Sequence, residues 1–509
     1  MNLVGTLTTS RKKWLIASSV MFGTILVVMD MNMVSVALPQ MMGTFGKTQS
    51  AITWVATSYI IAELVLVTMA GWLSTVLGRK RLYLLSFLLF ILASALAGTA
   101  HTFAQMLAYR TLQGIGGGSL VPVTGAILRE TFPRREWAMA MAIYGMAVVI
   151  ASGVAPLLGG WLTEEYGWSW VFYINVPIGL IGMLLVHFHV EDPPYLRRGV
   201  QRIDWMGIIL LSVGLTAMQI VLVGGQEKNW FESPAITGGA IFAAGALLAL
   251  VFHQLRSVEP IVNFRLLSNG PLAVGTGLGV VVGLTLYGTM FLLPQFTQNL
   301  LGYPPFESGM VLLPRAVTFL IVLPLAGWLY NKVGPRLYLV LGSLIQAWCF
   351  RELSQLSLES GFWNLVPILL LMGVGLPLVH VSLLTASFHT VRREDMTEAS
   401  SLFTLADHVG GNVGYALIST LLARRSFFHR LRLASNLSLF NSAFLEAYLA
   451  RKEHLQAVEP GRAEERALTL MDSFLHSQAS MLAYNDVAWL LAMITLAVVP
   501  FCLMLKRRA

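Results

Sequence analysis

The sequence predicts an all-α polytopic membrane protein: two six-helix bundles, two further helices inserted between them, and both termini in the cytoplasm. Three observations carry this. Hydrophobic residues make up 56% of the 509 and charged residues only 12%, whereas soluble domains carry about 25% charged. Apolar segments long enough to cross a hydrocarbon core recur from residue 14 to residue 505. Finally, Lys and Arg alternate in density from one connecting segment to the next, as expected when successive loops lie on opposite faces of a membrane.

Spans fall at 14–38, 51–72, 82–100, 105–128, 138–162, 170–190, 204–223, 234–253, 271–298, 308–330, 336–352, 363–388, 399–423 and 484–505. Arg11, Lys12 and Lys13 precede the first span. It is too long for a signal-peptide core and lacks a small-residue cleavage site, so it reads as an uncleaved helix. The segments on the side of the termini hold 21 Lys and Arg, and the short loops opposite hold Lys47, Lys228 and Arg351. That asymmetry places the termini inside. The net charge of +8 is therefore topological, and no nucleic-acid partner is expected. Cys349 and Cys502 both fall in apolar spans, which excludes a disulfide framework.

The expected organisation is a cytoplasmic N-terminus (1–13), an N-terminal bundle (14–190), a linker (191–203), two inserted helices (204–253), a second linker (254–270), a C-terminal bundle (271–505) and a cytoplasmic tail (506–509). The C-terminal bundle includes a long outer-face segment, 424–481, with amphipathic stretches broken at Pro460-Gly461. It reads either as a solvated helical hairpin or as a docking surface for an extracytoplasmic partner. The two bundles are inferred from an internal repeat. Gly71-Trp72-Leu73 followed by Gly78 and Lys80 recurs as Gly327-Trp328-Leu329 followed by Gly334 and Arg336. Each copy follows the second helix of a six-helix unit, a pattern by which transporters build two halves around a midplane site.

A few ionisable residues lie deep in these spans. Asp30 sits alone in an otherwise uncharged first span; a carboxylate at that depth costs about 2.5–3.5 kcal/mol and usually lines a polar pathway. It lies among Met29, Met31 and Met33, which suit either an adaptable apolar pocket or a lipid-facing stripe. Glu63 in the second span follows Tyr59 by one turn; it is either a second proton site or counter-charge for a cation, or a capping or interhelical partner for an arginine. Arg110, Gln113, Gly114 and Gly117 share one face of the fourth span, and a carboxylate on the first or second helix is the natural partner for Arg110. The run Gly114 to Gly118 has no preceding strand, so it is read as close helix packing and not as a phosphate loop. Gly153, Pro156 and Gly160 line one face of the fifth span, expected to let the two halves approach closely, with a kink at the proline. In the thirteenth span, Asp407 and His408 precede Gly410, Gly411 and Asn412. They form either a proton-relaying acid–imidazole pair or a structural pair with Arg315 or Asn412. Arg315 in the tenth span has no partner that sequence identifies, and His380 reads as a hydrogen-bonded core residue. No metal-ligand spacing, nucleophilic constellation or P-loop is present, so neither an enzyme nor an ATP-driven pump is expected and no cofactor is called for.

These motifs together resemble the major facilitator superfamily, specifically its fourteen-helix drug:proton antiporters of the EmrB/QacA type. The resemblance rests on Asp30-Met-Asn-Met-Val-Ser-Val-Ala-Leu-Pro39, Gly71-Trp-Leu-Ser-Thr-Val-Leu-Gly-Arg-Lys80, Arg110-Thr-Leu-Gln-Gly114, Gly153-Val-Ala-Pro-Leu-Leu-Gly-Gly160 and the Ile-Asn-Val-Pro-Ile-Gly run ending at Gly179, the last closest to the EmrB branch. It implies the major facilitator fold and a bacterial inner-membrane location. It also implies multidrug efflux driven by a proton gradient, with small amphipathic, often cationic substrates. Arg110 would tune protonation of the transport site, Gly71, Gly78, Arg79 and Lys80 would form a conformational loop, and a periplasmic membrane-fusion adaptor would dock on 424–481. The rival expectations are a dedicated exporter of one metabolite or toxin and, more remotely, an uncoupled pore or sensor. Three positions depart from the pattern: Ser35 replaces the usual Asn, Thr75 the usual acid and Ala155 the usual Gly.

Overall fold

A computed structural model describes residues 10–192, 203–435, 442–458 and 461–502. Most of the expected linker 191–203, the tail 506–509 and Pro460 lie outside the described residues. The N-terminal bundle comprises α1 (Ser10–Phe45), α2 (Gln49–Ile52), α3 (Trp54–Leu77), α4 (Arg79–Gly98), α5 (Phe103–Gly117), α6 (Leu120–Thr131), α7 (Trp137–Glu165), α8 (Ser169–Tyr173) and α9 (Asn175–His189). The inserted pair is α10 (Trp205–Gly224) and α11 (Pro234–Arg256). The C-terminal bundle comprises α12 (Gly270–Pro294), α13 (Pro305–Val333), α14 (Pro335–Leu353), α15 (Phe362–Ala386), α16 (Met396–Ala434), α17 (Ser442–Val458) and α18 (Ala463–Cys502).

Local chemistry explains several boundaries. The Thr102 hydroxyl accepts from the Gln105 backbone N–H, and Gln105 reciprocates toward Thr102, a capping box that opens α5. Asp204 caps α10 by accepting from the Gly207 N–H at 2.9 Å, and Asn269 caps α12. The fourth predicted span is divided: α5 ends at Gly117 and α6 begins at Leu120, because a run of glycines has little helix propensity. The sixth is divided after Tyr173. Eleven described helices are long and apolar enough to span a membrane. The other three spans, α5 with α6, α14 and α16, are the shorter, glycine-broken or more polar ones. On α4 the membrane setting is visible residue by residue. Tyr83, Phe87 and Phe90 are buried, while Leu85, Leu88, Leu92 and Leu96 are exposed at helical spacing, as expected where lipid replaces water.

Helix pairing reproduces the sequence repeat. In the N-terminal bundle α1 packs on α7, α3 on α5 and α4 on α9; in the C-terminal bundle α12 packs on α16, α13 on α15 and α14 on α18. The two bundles meet through α7 with α13 and α3 with α16, while α10 and α11 pack on each other, with α10 resting against α3 and α16. The repeated loop has the same backbone in both copies: Gly78 has φ 82° and ψ 154°, and Gly334 has φ 86° and ψ 160°. Only glycine adopts such angles cheaply.

The segment 424–481 is no separate domain. α16 continues to Ala434 and α18 starts at Ala463, so the thirteenth and fourteenth spans project beyond the bundle, with α17 against α18. Arg430–Asp472 and Lys452–Glu464, each at 2.8 Å, lie along this hairpin. Both pairs are exposed and so contribute little individually.

Gly78→Ala and Gly334→Ala are each expected to destabilise the purified protein by about 1–3 kcal/mol, the cost of a non-glycine side chain in that conformation. Gly153→Ala, in a helix with no atom within 4 Å of the added Cβ, is expected to be neutral or slightly stabilising. Thermal unfolding in detergent compares the three.

Candidate functional site

The N-terminal bundle closes around a buried ion pair. Asp30 is 0% exposed and Arg110 1%. Asp30 Oδ2 accepts from the Arg110 guanidinium at 2.6 Å, and its Oδ1 accepts from the Gln113 amide at 2.8 Å and the Asn175 amide at 2.7 Å. Arg110 Nε donates to the Val55 carbonyl at 3.1 Å, its Nη1 also reaches Gln113 Oε1 at 2.7 Å, and its charge lies 4.3 Å from the centre of the Tyr59 ring. The Ser94 hydroxyl accepts from Gln113 and Asn175 and donates to the Phe172 carbonyl. Helices α1, α3, α4, α5, α8 and α9 are therefore tied to one carboxylate. The sequence pointed to Asp30, Arg110, Gln113 and Tyr59. It missed Ser94, which carries no signal, and Asn175, which lay unused in the Ile-Asn-Val-Pro run.

Glycines permit this arrangement. A Cβ on Gly114 would sit 2.3 Å from the Tyr59 carbonyl, and one on Gly118 would sit 2.7 Å from the Glu63 carbonyl. The packing reading of Gly114 to Gly118 thus holds, and it brings Arg110 onto the face of α3.

Glu63 is placed differently. It is 1% exposed, and its Oε2 makes no hydrogen bond; the Tyr59 hydroxyl, one turn away, also has none. Among the described residues no hydrogen bond or ion pair joins Glu63 to Arg110, whose donors go to Asp30, Gln113 and Val55. Asp407 lies across the bundle interface, on α16. Tyr287 of α12 is within electrostatic reach of both Asp407 and Glu63, and Tyr144 of α7 is within reach of Asp407. Neither tyrosine was singled out by sequence.

Several expectations are corrected. Met29 and Met33 do not form a lipid-facing stripe: they are 6% and 0% exposed, and a Cβ on Gly159 would lie 3.0 Å from the Met33 backbone. Met33 fills the α1–α7 contact and lines no open pocket. Asp407 and His408 form no pair, since adjacent residues on a helix point in different directions. Among the described residues no hydrogen bond holds the side chains of Asp407, His408 or His380, and Asn412 Nδ2 has no partner. Arg315 pairs with neither Asp407 nor Asn412; it lines a cavity inside the C-terminal bundle. Gly153 and Gly160 do not mediate contact between the halves. A Cβ on Gly153 would meet nothing within 4 Å and one on Gly160 only Val36 of α1. The bundles touch at the other end of α7, where a Cβ on Gly145 would meet Leu323 and one on Gly327 would meet Ala138 and Ala142.

That end also carries the predicted loop. Arg79 ion-pairs with Glu130 of α6 and donates across the interface to the Arg393 carbonyl at 3.3 Å. A Cβ on Gly71 would sit 2.6 Å from Glu398 Cα on α16. Lys80 reaches the His187 carbonyl at 2.6 Å. Arg129, which the sequence reading counts only among the basic cytoplasmic residues, donates to Ser400 at 3.0 Å and lies 3.7 Å from the centre of the Phe388 ring. Thr75, where an acid is usual, donates to the Trp72 carbonyl of its own helix. Across to the opposite bundle, the loop's side-chain hydrogen bond among the described residues comes from Arg79. Hydrogen bonds crossing between the bundles cluster at this end, which the charge distribution marks as cytoplasmic.

Residues 20–415 match the family model described as Major Facilitator Superfamily. The chain is 27% identical to the multidrug export protein EmrB of Haemophilus influenzae, over 94% of this chain and 93% of that protein. It is 28% identical to the fatty acid resistance protein FarB of Neisseria gonorrhoeae, over 94% and 93% respectively. The crystal structure of the human organic anion transporter MFSD10 superposes with a TM-score of 0.63 at 13% identity, covering 95% of this chain and 99% of that one.

Asp30→Asn leaves Arg110 buried without its counter-charge, and breaking such a pair costs about 3–5 kcal/mol. Asp30→Asn combined with Arg110→Gln is expected to recover much of that loss, because no charge is then left alone. Melting temperatures of wild type, both single variants and the double variant check the coupling.

Proposed function

The chain belongs to the Major Facilitator Superfamily, and from that premise we propose that it is a proton-coupled exporter of chemically diverse amphipathic compounds, acting in the bacterial inner membrane. The observation that carries the reading is the contrast between two buried carboxyls one helix apart. Asp30 accepts three hydrogen bonds, whereas Glu63 has an oxygen with none. Burying an unpaired charge costs far more than burying a neutral acid, so proton binding is the inexpensive way to hold Glu63 in place.

In this reading the cytoplasmic end is closed by Arg79, Arg129 and their partners, and protons arrive from outside. Glu63 and Asp407, both within electrostatic reach of Tyr287, take them up. Loss of negative charge weakens the hold on a cationic substrate, which leaves outward. The neutral site then lets the halves rock, each bundle moving as a unit with the Asp30–Arg110 pair intact. Each charge moved across 100 mV supplies about 2.3 kcal/mol, enough for roughly a 50-fold gradient. Similarity to EmrB supports a broad substrate range. Similarity to FarB supports amphipathic molecules as the class and keeps in view a dedicated exporter of one such compound. The projecting hairpin, with Phe427, Phe428, Leu431 and Phe474 all at least half exposed, suits an apolar docking surface for an extracytoplasmic adaptor.

In proteoliposomes with an imposed pH gradient, Glu63→Gln is expected to abolish uphill dye efflux while leaving dye binding intact. Wild-type uphill transport by that variant removes Glu63 from the coupling step. An uncoupler should halt efflux by the wild type; persistence would exclude proton coupling, and purely downhill flux would identify a pore. Replacing 442–458 with a short linker is expected to lower resistance in cells but not transport in vesicles, and unchanged resistance counts against docking there.

A further inference from the structure

The internal repeat assigns a counterpart to the Asp30 site. The register that lays Gly71 on Gly327 and Gly78 on Gly334 also lays Tyr59 on Arg315, and Phe87 and Phe90 on Ser343 and Gln346. The helices walling the Asp30 site are α1, α3, α4, α5 and α9; their equivalents are α12, α13, α14, α15 and α18, and these wall the cavity that contains Arg315. Where the N-terminal bundle has a tyrosine ring and two phenylalanines, the C-terminal bundle has a cation, a hydroxyl and an amide.

No acid lines this cavity. Arg315 lies about 15 Å along a helix that starts at Pro305, close to the midplane of a hydrocarbon core. Among the described residues no hydrogen bond or ion pair joins it to the protein. The acids on the surrounding helices are distant or engaged: Glu352 pairs with Arg351 at 2.8 Å, Asp486 pairs with His429 at 2.8 Å, and Glu307 is two turns away along α13. Thr285, Thr289 and Thr495 donate their hydroxyls to carbonyls of their own helices. The remaining donors are the guanidinium, the Ser343 hydroxyl and one hydrogen of the Gln346 amide, whose nitrogen already donates to the Met372 carbonyl at 2.8 Å. A lone cation with convergent donors in an otherwise apolar cavity of about 30 Å³ has room for two or three waters or one compact ion, and at membrane depth the charge requires a partner.

We propose that the C-terminal bundle holds a binding site for a compact monoanion, with Arg315 as its charge partner and Ser343 and Gln346 as secondary donors. The anion is either a free halide or the carboxylate head of an amphipathic molecule whose tail lies outside the cavity. The proposal concerns binding and stands whether or not transport is coupled to protons.

The test is thermal unfolding of the full chain in lipid nanodiscs, with HEPES as the only background anion, titrated separately with chloride and with octanoate. A saturable rise of several degrees with chloride that is lost in Arg315→Met supports a halide site. The same behaviour confined to octanoate supports a carboxylate site. A rise in neither arm, or an undiminished one in Arg315→Met, overturns the proposal. Before any titration, Arg315→Met should be more stable than wild type, because it removes an uncompensated charge; lower stability shows that Arg315 has a partner within the protein and also overturns it. Should Arg315→Met fail to fold, Ser343→Ala with Gln346→Leu is expected to weaken the titration about tenfold, and an unchanged midpoint overturns the proposal.

Discussion

A charge inside hydrocarbon has to find a partner, and the whole N-terminal bundle is organised around one that has. The Asp30 carboxylate takes donors from α5 and α9, while Arg110 is anchored back to α3 through Val55 and Tyr59. Six helices cannot move independently without exposing that carboxylate or stranding that guanidinium. Because either error is costly in low dielectric, the bundle behaves as a rigid unit, as a rocking mechanism requires.

Against that compensated pair, the incompletely compensated groups stand out. Glu63 has an oxygen without a partner, and no hydrogen bond or ion pair holds the Asp407 or Arg315 side chain among the described residues. They occupy different places. Glu63 and Asp407 lie on helices that meet between the bundles. Arg315 lies within one bundle. Incomplete compensation at an interface suits a group that changes protonation; within a rigid bundle it suits one that holds a ligand.

The contacts between halves are uneven. Arg79, Arg129, Gly71, Gly145 and Gly327 all engage the opposite bundle at the cytoplasmic end, and the outer half of α7, with Gly153, Val154 and Leu157, is left exposed. The motif at Gly153 and Pro156 therefore presents a smooth, uncovered surface in this state. Its small residues are available for contact when the outer ends approach.

Much was legible in the sequence because membrane insertion constrains it locally. Span lengths, the basic loops and the repeated Gly-Trp-Leu motif each follow from hydropathy, charge or a backbone angle that a residue imposes by itself, so the all-helical plan could be read from the chain, and eleven described helices are long and apolar enough to cross a membrane. Asp30 and Arg110 were legible for the same reason, since an isolated charge in an apolar run is visible without a partner. Which groups are satisfied was decided only by tertiary structure. Asn175 and Ser94 look like ordinary polar residues until α9 and α4 bring them to Asp30, and Met33 looks like a pocket residue until Gly159 covers it. Asp407 and His408 look like a pair until the helix turns them apart. Compensation of a buried charge depends on atoms from several helices within about 3 Å, and no spacing along one chain encodes that convergence.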